Sequence, residues 1–387
     1  MAVAVVILVG CVGMDPSVVD PESYLGNRTN PPDVYRSGTE PVLLPVLDVR
    51  IDPMDRLFLV NFADDPIYEG VELQTFPGEG GGAPGARVLL WRPDTVDVYD
   101  SPGRTFDEDV DHRGLEALLS PRAVTLQRAD FDYRFRITEY GLDAALRIQD
   151  REGRLLEIEV VETRGEPVIG GLIAPVGATS ASPDYLPLFF LDEFALVKRA
   201  GTRVRISVDG RERSPAKMTR LIKGPASYFT RYSNRVVIAH WNERREAVLE
   251  PVPLSPGSKT VEAGGLDWSI QWNGERPEVP SVTARFGEDR LTFLFSPPLP
   301  DLAALRPGVR IEGRFVVNVN DVPGVVAGEY EVEREAEGAR IVFQPLEAWQ
   351  PPIVRGPSWV SSYRYEAEIA LGTGAAPARL VSNWERR

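Results

Sequence analysis

The sequence predicts a mainly β protein, built from antiparallel sandwich or barrel units with little helix. Apolar and polar residues alternate along most of the chain with the period of a β-strand. Turn residues interrupt this alternation about every 8–12 residues, which is the spacing of strands in sandwiches and barrels. No long segment shows the period of an amphipathic helix. The 387 residues are enough for two or three such units.

Composition divides the chain into an N-terminal segment and three β units. Residues 13–45 are rich in Pro, Asp, Ser and Asn without sustained periodicity, and a Gly- and Pro-rich stretch follows at 165–187. The predicted divisions are an apolar segment with a linker (1–45), a first β unit (46–165), a central β unit (166–281) and a C-terminal β unit (282–387).

The stretch from Pro187 to Asn242 is predicted to form the central sheet. The Asp209-Gly210 pair inside it favours a tight hairpin turn. Alternation predicts two later strands, one carrying Tyr228, Thr230 and Tyr232 on a single face, the next carrying Val236, Ile238, His240 and Asn242.

The flanking units show the same alternation. Residues 131–137 alternate aromatic or aliphatic with charged side chains, and Asp150–Gly153 is typical of a hairpin turn. In the C-terminal third, Trp268 and Trp272 fall on one predicted strand face. In length and strand density the chain resembles two lipocalin-like barrels in tandem, as in carotenoid-hydratase-type proteins. That resemblance is one of shape and implies an enclosed apolar cavity.

The charge balance excludes several partner classes. The net charge is −14 and the isoelectric point is about 4.9. Nucleic acid is not expected as a partner, because phosphate binding needs clustered cationic surface. Anionic lipid surfaces are disfavoured for the same reason. The arginines, which greatly outnumber the four lysines, are expected mainly on the solvated surface.

Cysteine and histidine are too scarce for most cofactor chemistry. Cys11 is the only cysteine, so no intrachain disulfide or redox pair can form. His112 and His240 are the only histidines. The glycine-rich and serine-containing loops match no nucleotide or nucleophile motif, and the sequence predicts no cofactor.

The apolar run at residues 2–12 is open to two interpretations. It is too short to span a bilayer as a helix, so no transmembrane segment is predicted. Its end, Leu8–Cys11, resembles the lipobox of bacterial lipoproteins, which implies a lipid anchor at Cys11 and a cell-envelope location. No Lys or Arg precedes the run, however, and an N-terminal strand in a cytoplasmic protein is the alternative.

The main candidate site lies in the central unit. Its predicted members are His240, Asp192 and Glu193 as catalytic groups and Tyr228, Tyr232 and Asn242 as ligand-binding groups. If the strands are neighbours, aromatic rings, an imidazole and an amide would face one apolar cavity, the usual form of a small-molecule site. A carboxylate could orient His240 as a general acid or base. The alternative is a buried histidine with structural hydrogen bonds.

Three further groups are candidates. Asp107, Asp109 and Asp111 resemble the start of a calcium loop, although His112 and Leu118 depart from that pattern and a solvated acidic loop is the alternative. The remaining two groups are an acidic cluster (Asp64, Asp65, Tyr68, Glu69 and Glu72) and the C-terminal tryptophans (Trp268, Trp272, Trp349, Trp359 and Trp384). Paired carboxylates could serve a glycosidase, and solvated surface carboxylates are the alternative. Tryptophan rings could bind a ligand, above all Trp268 and Trp272, and a buried sheet face formed by these two is the alternative.

Three functions follow as hypotheses. The first is a binding protein for a lipophilic or aromatic small molecule, held in a β-barrel or between sheets. The second is an enzyme doing acid–base chemistry of the hydratase, isomerase or cyclase type in the same cavity. The third is a carbohydrate-active cell-envelope protein.

Overall fold

A computed structural model describes residues 20–78, 84–102, 115–116, 119, 122–164, 170–174, 183–218, 226–320, 326–348, 357–372 and 377–387. Of these residues 63% lie in strands and 5% in helical turns, which confirms a mainly β protein. Within the same ranges, no helix is both long and apolar enough to cross a lipid bilayer.

The described elements run in chain order as follows. One short helix, α1 (Pro21–Leu25), and two 3-10 turns (Pro32–Val34 and Trp359–Ser362) accompany the strands. The strands are β1 (Val42–Leu43), β2 (Val49–Met54), β3 (Arg56–Asn61), β4 (Gly70–Phe76), β5 (Gly85–Trp91), β6 (Thr95–Asp100), β7 (Ala123–Arg128), β8 (Asp132–Thr138), β9 (Gly141–Gln149), β10 (Leu155–Glu162), β11 (Gly170–Ala174), β12 (Leu186–Lys198), β13 (Thr202–Val208), β14 (Arg211–Arg213), β15 (Ser227–Trp241), β16 (Arg245–Leu249), β17 (Val252–Pro253), β18 (Thr260–Ala263), β19 (Leu266–Asn273), β20 (Arg276–Phe286), β21 (Asp289–Leu299), β22 (Arg310–Val319), β23 (Val326–Arg334), β24 (Gly338–Glu347), β25 (Tyr363–Ala370) and β26 (Ala378–Arg386).

The strands form three large sheets and one small one. A nine-stranded sheet has the order β11-β12-β15-β3-β4-β5-β6-β7, and β2 pairs with the far end of β15. A five-stranded sheet has the order β14-β13-β10-β9-β8. A ten-stranded sheet runs from β16 through β26 down to β18, and β1 pairs with β17. Among the described pairings only that of β6 with β7 is parallel.

The nine- and five-stranded sheets pack face to face as a sandwich. One face of β3, β4 and β5 contributes Phe58, Val60, Leu73 and Val88 to this core, each fully buried. Alternate residues of β9, β10 and β13 supply the opposite layer, for example Ile158. The predicted alternation thus places every second side chain between the sheets.

The ten-stranded sheet curls into a half-barrel around its own core. Side chains from both ends of the sheet, such as Leu266 and Leu380, belong to one buried cluster, which requires the sheet to curl. Trp241 lies at the centre of this cluster. Its ring centroid is 5.1 Å from those of Phe293 and Trp384, so the interior is packed with aromatic rings.

Strands β12 and β15 take part in both cores. On β15, Tyr232 packs in the sandwich, whereas Trp241 packs in the half-barrel. Because nine positions separate them, the two side chains point to opposite faces of the strand. One end of the strand pair therefore packs one face against the sandwich core, and the other end packs the opposite face against the half-barrel core.

The finer expectations on organisation are not settled by these sheets. The division into units at 165/166 and 281/282 stays a prediction, although residues 281 and 282 both lie within β20. Two lipocalin-like barrels in tandem also stay a prediction. The Asp209-Gly210 hairpin is confirmed, since both residues have positive φ angles between the paired β13 and β14.

Candidate functional site

The predicted site residues on β15 lie on one continuous strand rather than on two neighbours. Tyr232 and His240 are eight residues apart, which corresponds to about 26 Å along an extended strand. The structure therefore does not bring Tyr228 and Tyr232 together with His240. The polar run at Ser233–Arg235 resembles a turn in sequence, but it lies where β15 passes between the two cores, and Arg235 pairs there with Asp289 of the half-barrel.

The two tyrosines are parts of the sandwich. Tyr232 is 2% exposed, and its hydroxyl lies beside the buried carboxylate of Glu162. Glu162 accepts the backbone N–H of Leu142 at 2.8 Å, and burial raises the pKa of its carboxyl. Tyr228 is half-buried at the edge of the same core. This arrangement fastens the five-stranded sheet to β15.

His240 is held in a small cluster of its own. Its ring stacks on that of Tyr185 with centroids 3.8 Å apart, and its Nδ1 is 2.8 Å from a guanidinium nitrogen of Arg50. Because a guanidinium can only donate, Nδ1 must accept, which places the proton of the neutral imidazole on Nε2. The carboxylate of Glu243 lies 3.9 Å from Nδ1 and 3.6 Å from the guanidinium of Arg50.

The carboxylates predicted to serve His240 lie elsewhere on β12. Pro187 is the residue opposite His240, whereas Asp192 lies opposite Arg235. Five residues of strand, about 16 Å, separate these two positions. Glu193 follows Asp192 and is further along. The carboxylate beside His240 is that of Glu243, which the sequence analysis did not select.

Asn242 holds the turn that follows β15. It is fully buried with a φ of 48°, and its side-chain oxygen accepts the backbone N–H of Asp48 at 2.9 Å. The indole N–H of Trp384 donates to its carbonyl at 2.8 Å. An asparagine suits this left-handed backbone conformation, so the observed role is structural.

The two predicted tryptophans belong to the half-barrel. Trp268 is 1% exposed and its indole N–H donates to the carbonyl of Ala263 at 2.9 Å, while Trp272 donates to Ser258 at 2.8 Å. A cavity of about 20 Å³ adjoins Trp268. That volume has room for about one water molecule.

The metal and lipid predictions fall outside the described residues. Asp107, Asp109 and Asp111 are not among the ranges given above, and neither is Cys11. Within those ranges no group of three or more histidine, cysteine or acidic side chains is placed to hold a metal ion.

The members of the predicted acidic cluster point in different directions. Asp65 pairs with Arg213 and caps the turn before β4. Tyr68 donates to Asp150 inside the sandwich, and Glu69 pairs with Arg122 at 2.6 Å. Glu72 alone lies on the opposite face of the nine-stranded sheet. Paired carboxylates are therefore not formed by this group.

Glu72 belongs to a buried group of polar residues, here called the polar cluster, on the face of the nine-stranded sheet that points away from the sandwich. Its members are the buried Glu72, Gln74, Arg87, Asp100 and Arg231 together with the half-buried Asn61. Their neighbours in sequence, such as Leu73 and Val88, fill the sandwich. Strand alternation therefore places the cluster on the other side.

Short hydrogen bonds connect the polar cluster. Gln74 donates to Glu72 at 2.7 Å, and Arg87 forms a two-point pair with Asp100 at 2.7 and 2.9 Å. Arg231, which comes from β15, donates to the side-chain oxygen of Asn61 at 2.7 Å. Glu72, Gln74, Arg87, Asp100 and Arg231 are each 9% exposed or less.

The cluster combines two arginines with two carboxylates. Burial raises the pKa of Glu72, although its bond from Gln74 and the charges of Arg231 and Arg87 act in the opposite direction. Asp100 is neutralised by its own two-point pair with Arg87. Glu72 is thus a carboxyl group whose charged form is disfavoured by burial, and Arg231 is a cation beside the amide of Asn61.

No protein-family model, curated protein or solved structure matches this chain.

Apolar side chains border the polar cluster. Leu57, Phe76 and Phe229 are half-buried and pack in one apolar group with the buried Phe194 and Leu196. A polar centre beside half-exposed aromatic and aliphatic side chains is the usual composition of a small-molecule site.

Sequence reasoning reached only Glu72 of this cluster, as one member of an acidic group. Its partners come from β3, β5, β6 and β15, which lie far apart in the chain. One feature of the sequence could have indicated the cluster. Strands that are buried on both faces normally carry apolar residues, and here charged or amide residues occupy some of those positions.

Proposed function

We propose that this protein binds a small, mainly lipophilic molecule on the outer face of the nine-stranded sheet. The polar end of the ligand would meet Glu72 and Arg231, and its apolar body would lie on Leu57, Phe76 and Phe229. The observation that carries this proposal is the polar cluster itself, a set of buried charged and amide groups on an otherwise apolar sheet face.

The free-energy cost of burying these charges supports a functional role for the polar cluster. Removing two arginines and two carboxylates from water is costly, and well-packed apolar residues are often equally stable in such positions. Carboxyl groups with shifted pKa values are frequent at functional sites, because catalysis needs pKa values that suit the working pH. Glu72 combines a raised pKa with charge–charge rather than two-point contact to Arg231.

The described half-barrel interior is less suited to a ligand. Sites for drug-sized molecules have volumes of about 300–1,000 Å³. The cavity beside Trp268 has about 20 Å³. The sequence predicted a ligand in a β-barrel or between two sheets, and we propose the sheet face instead because this cavity holds about one water molecule.

An acid–base enzyme at the same face is the second candidate. A carboxyl group whose pKa is raised toward neutrality can donate or accept a proton at the working pH. The raised pKa of Glu72 favours this candidate, and the guanidinium of Arg231 would stabilise negative charge that develops on a substrate.

A ligand-binding experiment with two site variants tests the proposal. The probe is 8-anilinonaphthalene-1-sulfonate, which joins an aromatic body to an anion, and native mass spectrometry looks for co-purified lipophilic molecules. Arg231→Gln should weaken probe binding at least about tenfold through loss of the charge-assisted contact. Glu72→Gln should remove any co-purified molecule, or shift its affinity by a similar factor.

Glu157→Gln is the matched control, because Glu157 lies on the exposed outer face of the five-stranded sheet with its side chain 49% exposed. It should bind as the wild type does. Thermal unfolding of every variant confirms the fold. A wild-type chain without probe binding, or site variants that bind as tightly as the control, would overturn the proposal.

A further inference from the structure

The open side of the half-barrel is covered by residues 28–47, here called the strap. Tyr35 donates to Glu278 at 2.6 Å, and Arg276 donates to the carbonyl of Thr39 at 2.7 Å. The backbone N–H of Arg36 donates to Ala304 at 2.8 Å. β1, inside the strap, pairs with β17. The strap is thus fixed by polar contacts at its rim and apolar contacts beneath.

Asp301 lies under this strap, in the loop that follows β21. It is 4% exposed and lines the cavity of about 20 Å³ together with Leu43 and Leu44 of the strap and Trp268 of β19. Its Oδ1 accepts the backbone N–H of Ala304 at 3.2 Å. Its Oδ2 has no hydrogen-bond partner among the described residues. A carboxyl oxygen without a donor in an apolar cavity is unfavourable when charged.

The charged and titratable groups around Asp301 come from several elements. They are Arg276 and Glu278 of β20, Arg36 and Tyr35 of the strap, and Tyr330 of β23. The two arginines favour the ionised carboxyl, but both are already engaged with backbone carbonyls. Burial outweighs them and raises the pKa of Asp301 to about 7.

We propose that Asp301 is a latch that holds the strap closed while its carboxyl is neutral and releases the strap when the carboxyl ionises. The closed strap favours a protonated Asp301 because the buried Oδ2 has no hydrogen-bond partner among the described residues. Ionisation favours conformations in which water reaches the carboxylate, and the strap lines one side of the cavity through Leu43 and Leu44. Opening would expose Leu43, Leu44 and Trp268.

The direction of the pH effect follows from linkage. With the strap open, the pKa of the Asp301 carboxyl is near its ordinary value of 3.8. With the strap closed, the pKa is about 7, so the carboxyl keeps its proton up to about pH 7. Closure is therefore most favoured below about pH 4, weakens between pH 4 and pH 7, and is constant above. Between pH 5 and pH 8 the equilibrium constant for opening rises by up to about a hundredfold. The factor is tenfold for each of the two pH units from 5 to about 7, where only the closed state holds the proton.

Hydrogen exchange of the intact chain tests the latch. The reporters are the N–H of Arg36, bonded to Ala304, and the N–H of Leu254, bonded to Pro41. Protection factors, which remove the pH dependence of the chemical exchange step, are compared at pH 5 and pH 8. Wild-type protection should fall at least tenfold between these values, and Asp301→Asn should show less than a twofold change.

Asp33→Asn is the matched control, since Asp33 is on the strap with its side chain 83% exposed and lies 3.7 Å from Arg306. Its protection should follow that of the wild type. A wild-type protection factor that does not change with pH would overturn the latch, and this outcome requires no variant to fold. A pH dependence that persists in Asp301→Asn would also overturn it.

Discussion

Replacing Asp150 by asparagine should remove a pH-dependent part of the stability of the sandwich. Asp150 lies at the tip of the β9–β10 hairpin with its side chain fully buried. It accepts the hydroxyl of Tyr68, the guanidinium of Arg92 at 3.1 Å and that of Arg154 at 2.9 Å. Two backbone N–H groups of the hairpin also donate to it. These contacts fix the hairpin to the nine-stranded sheet.

The magnitude follows from the pKa of the carboxyl. Burial alone would raise it, but the hydrogen bonds from Tyr68 and Arg154 outweigh burial and lower the pKa from 3.8 to about 2. A difference of nearly two units corresponds to about 2.5 kcal/mol. Because the folded-state value is the lower one, this stability is present above about pH 4 and is lost as the pH falls toward 2.

Urea unfolding followed by tryptophan fluorescence measures the effect. At pH 7, Asp150→Asn should lower the free energy of unfolding by about 2–3 kcal/mol, because the half-buried Arg92 and Arg154 lose one carboxylate partner and keep Glu152. The gap between variant and wild type should shrink by about 1 kcal/mol at pH 3, where the lost carboxylate contributes less. Asp132→Asn, an exposed change on β8, is the control and should alter neither value. An equal loss at both pH values would refute the reasoning.

Three other substitutions test the remaining features. Gly141→Ala should cost about 1–3 kcal/mol in urea unfolding, because φ is 113° and a Cβ would lie 2.2 Å from a carboxylate oxygen of Glu162. Trp241→Ala should cost about 3–5 kcal/mol in the same measurement by opening a cavity in the half-barrel. His240→Gln keeps an acceptor for Arg50 and should change stability by less than about 1 kcal/mol. The affinity for the probe should be unchanged in His240→Gln. A loss of binding in this variant would indicate that the ligand site includes His240.

The fold class was predictable because strand alternation is local information. Along a strand, the alternation of apolar and polar residues shows which side chains face the core. The Asp209-Gly210 pair by itself favours a tight turn. The length of β15 was not predictable. Ser233–Arg235 is polar as a turn is, and only the passage of the strand between two cores explains why those residues remain extended.

The candidate site was less predictable than the fold. The contacts of Glu72 depend on which strands are neighbours, and Arg231 reaches the cluster because β15 pairs with β3 across more than 150 residues of sequence. The pattern marked His240 and its flanking tyrosines instead because their residue types are common in active sites. Residue type does not reveal that these residues lie far apart on one long strand, because the length of that strand depends on the tertiary structure.

The two shared strands explain why the half-barrel has so little room inside. A curled sheet of this size leaves an interior that side chains or a ligand must fill. Here the ends of β2, β12 and β15 enter it and supply Ile51, Phe190 and Trp241. A ligand in that position would have to displace Trp241, at a cost of about 3–5 kcal/mol before it made any contact of its own. The same strands continue past the half-barrel and bring Arg231 to the polar cluster, where the face is bordered by half-exposed apolar side chains. A ligand can meet these half-exposed side chains without displacing Trp241, which is the physical reason to look for the ligand there.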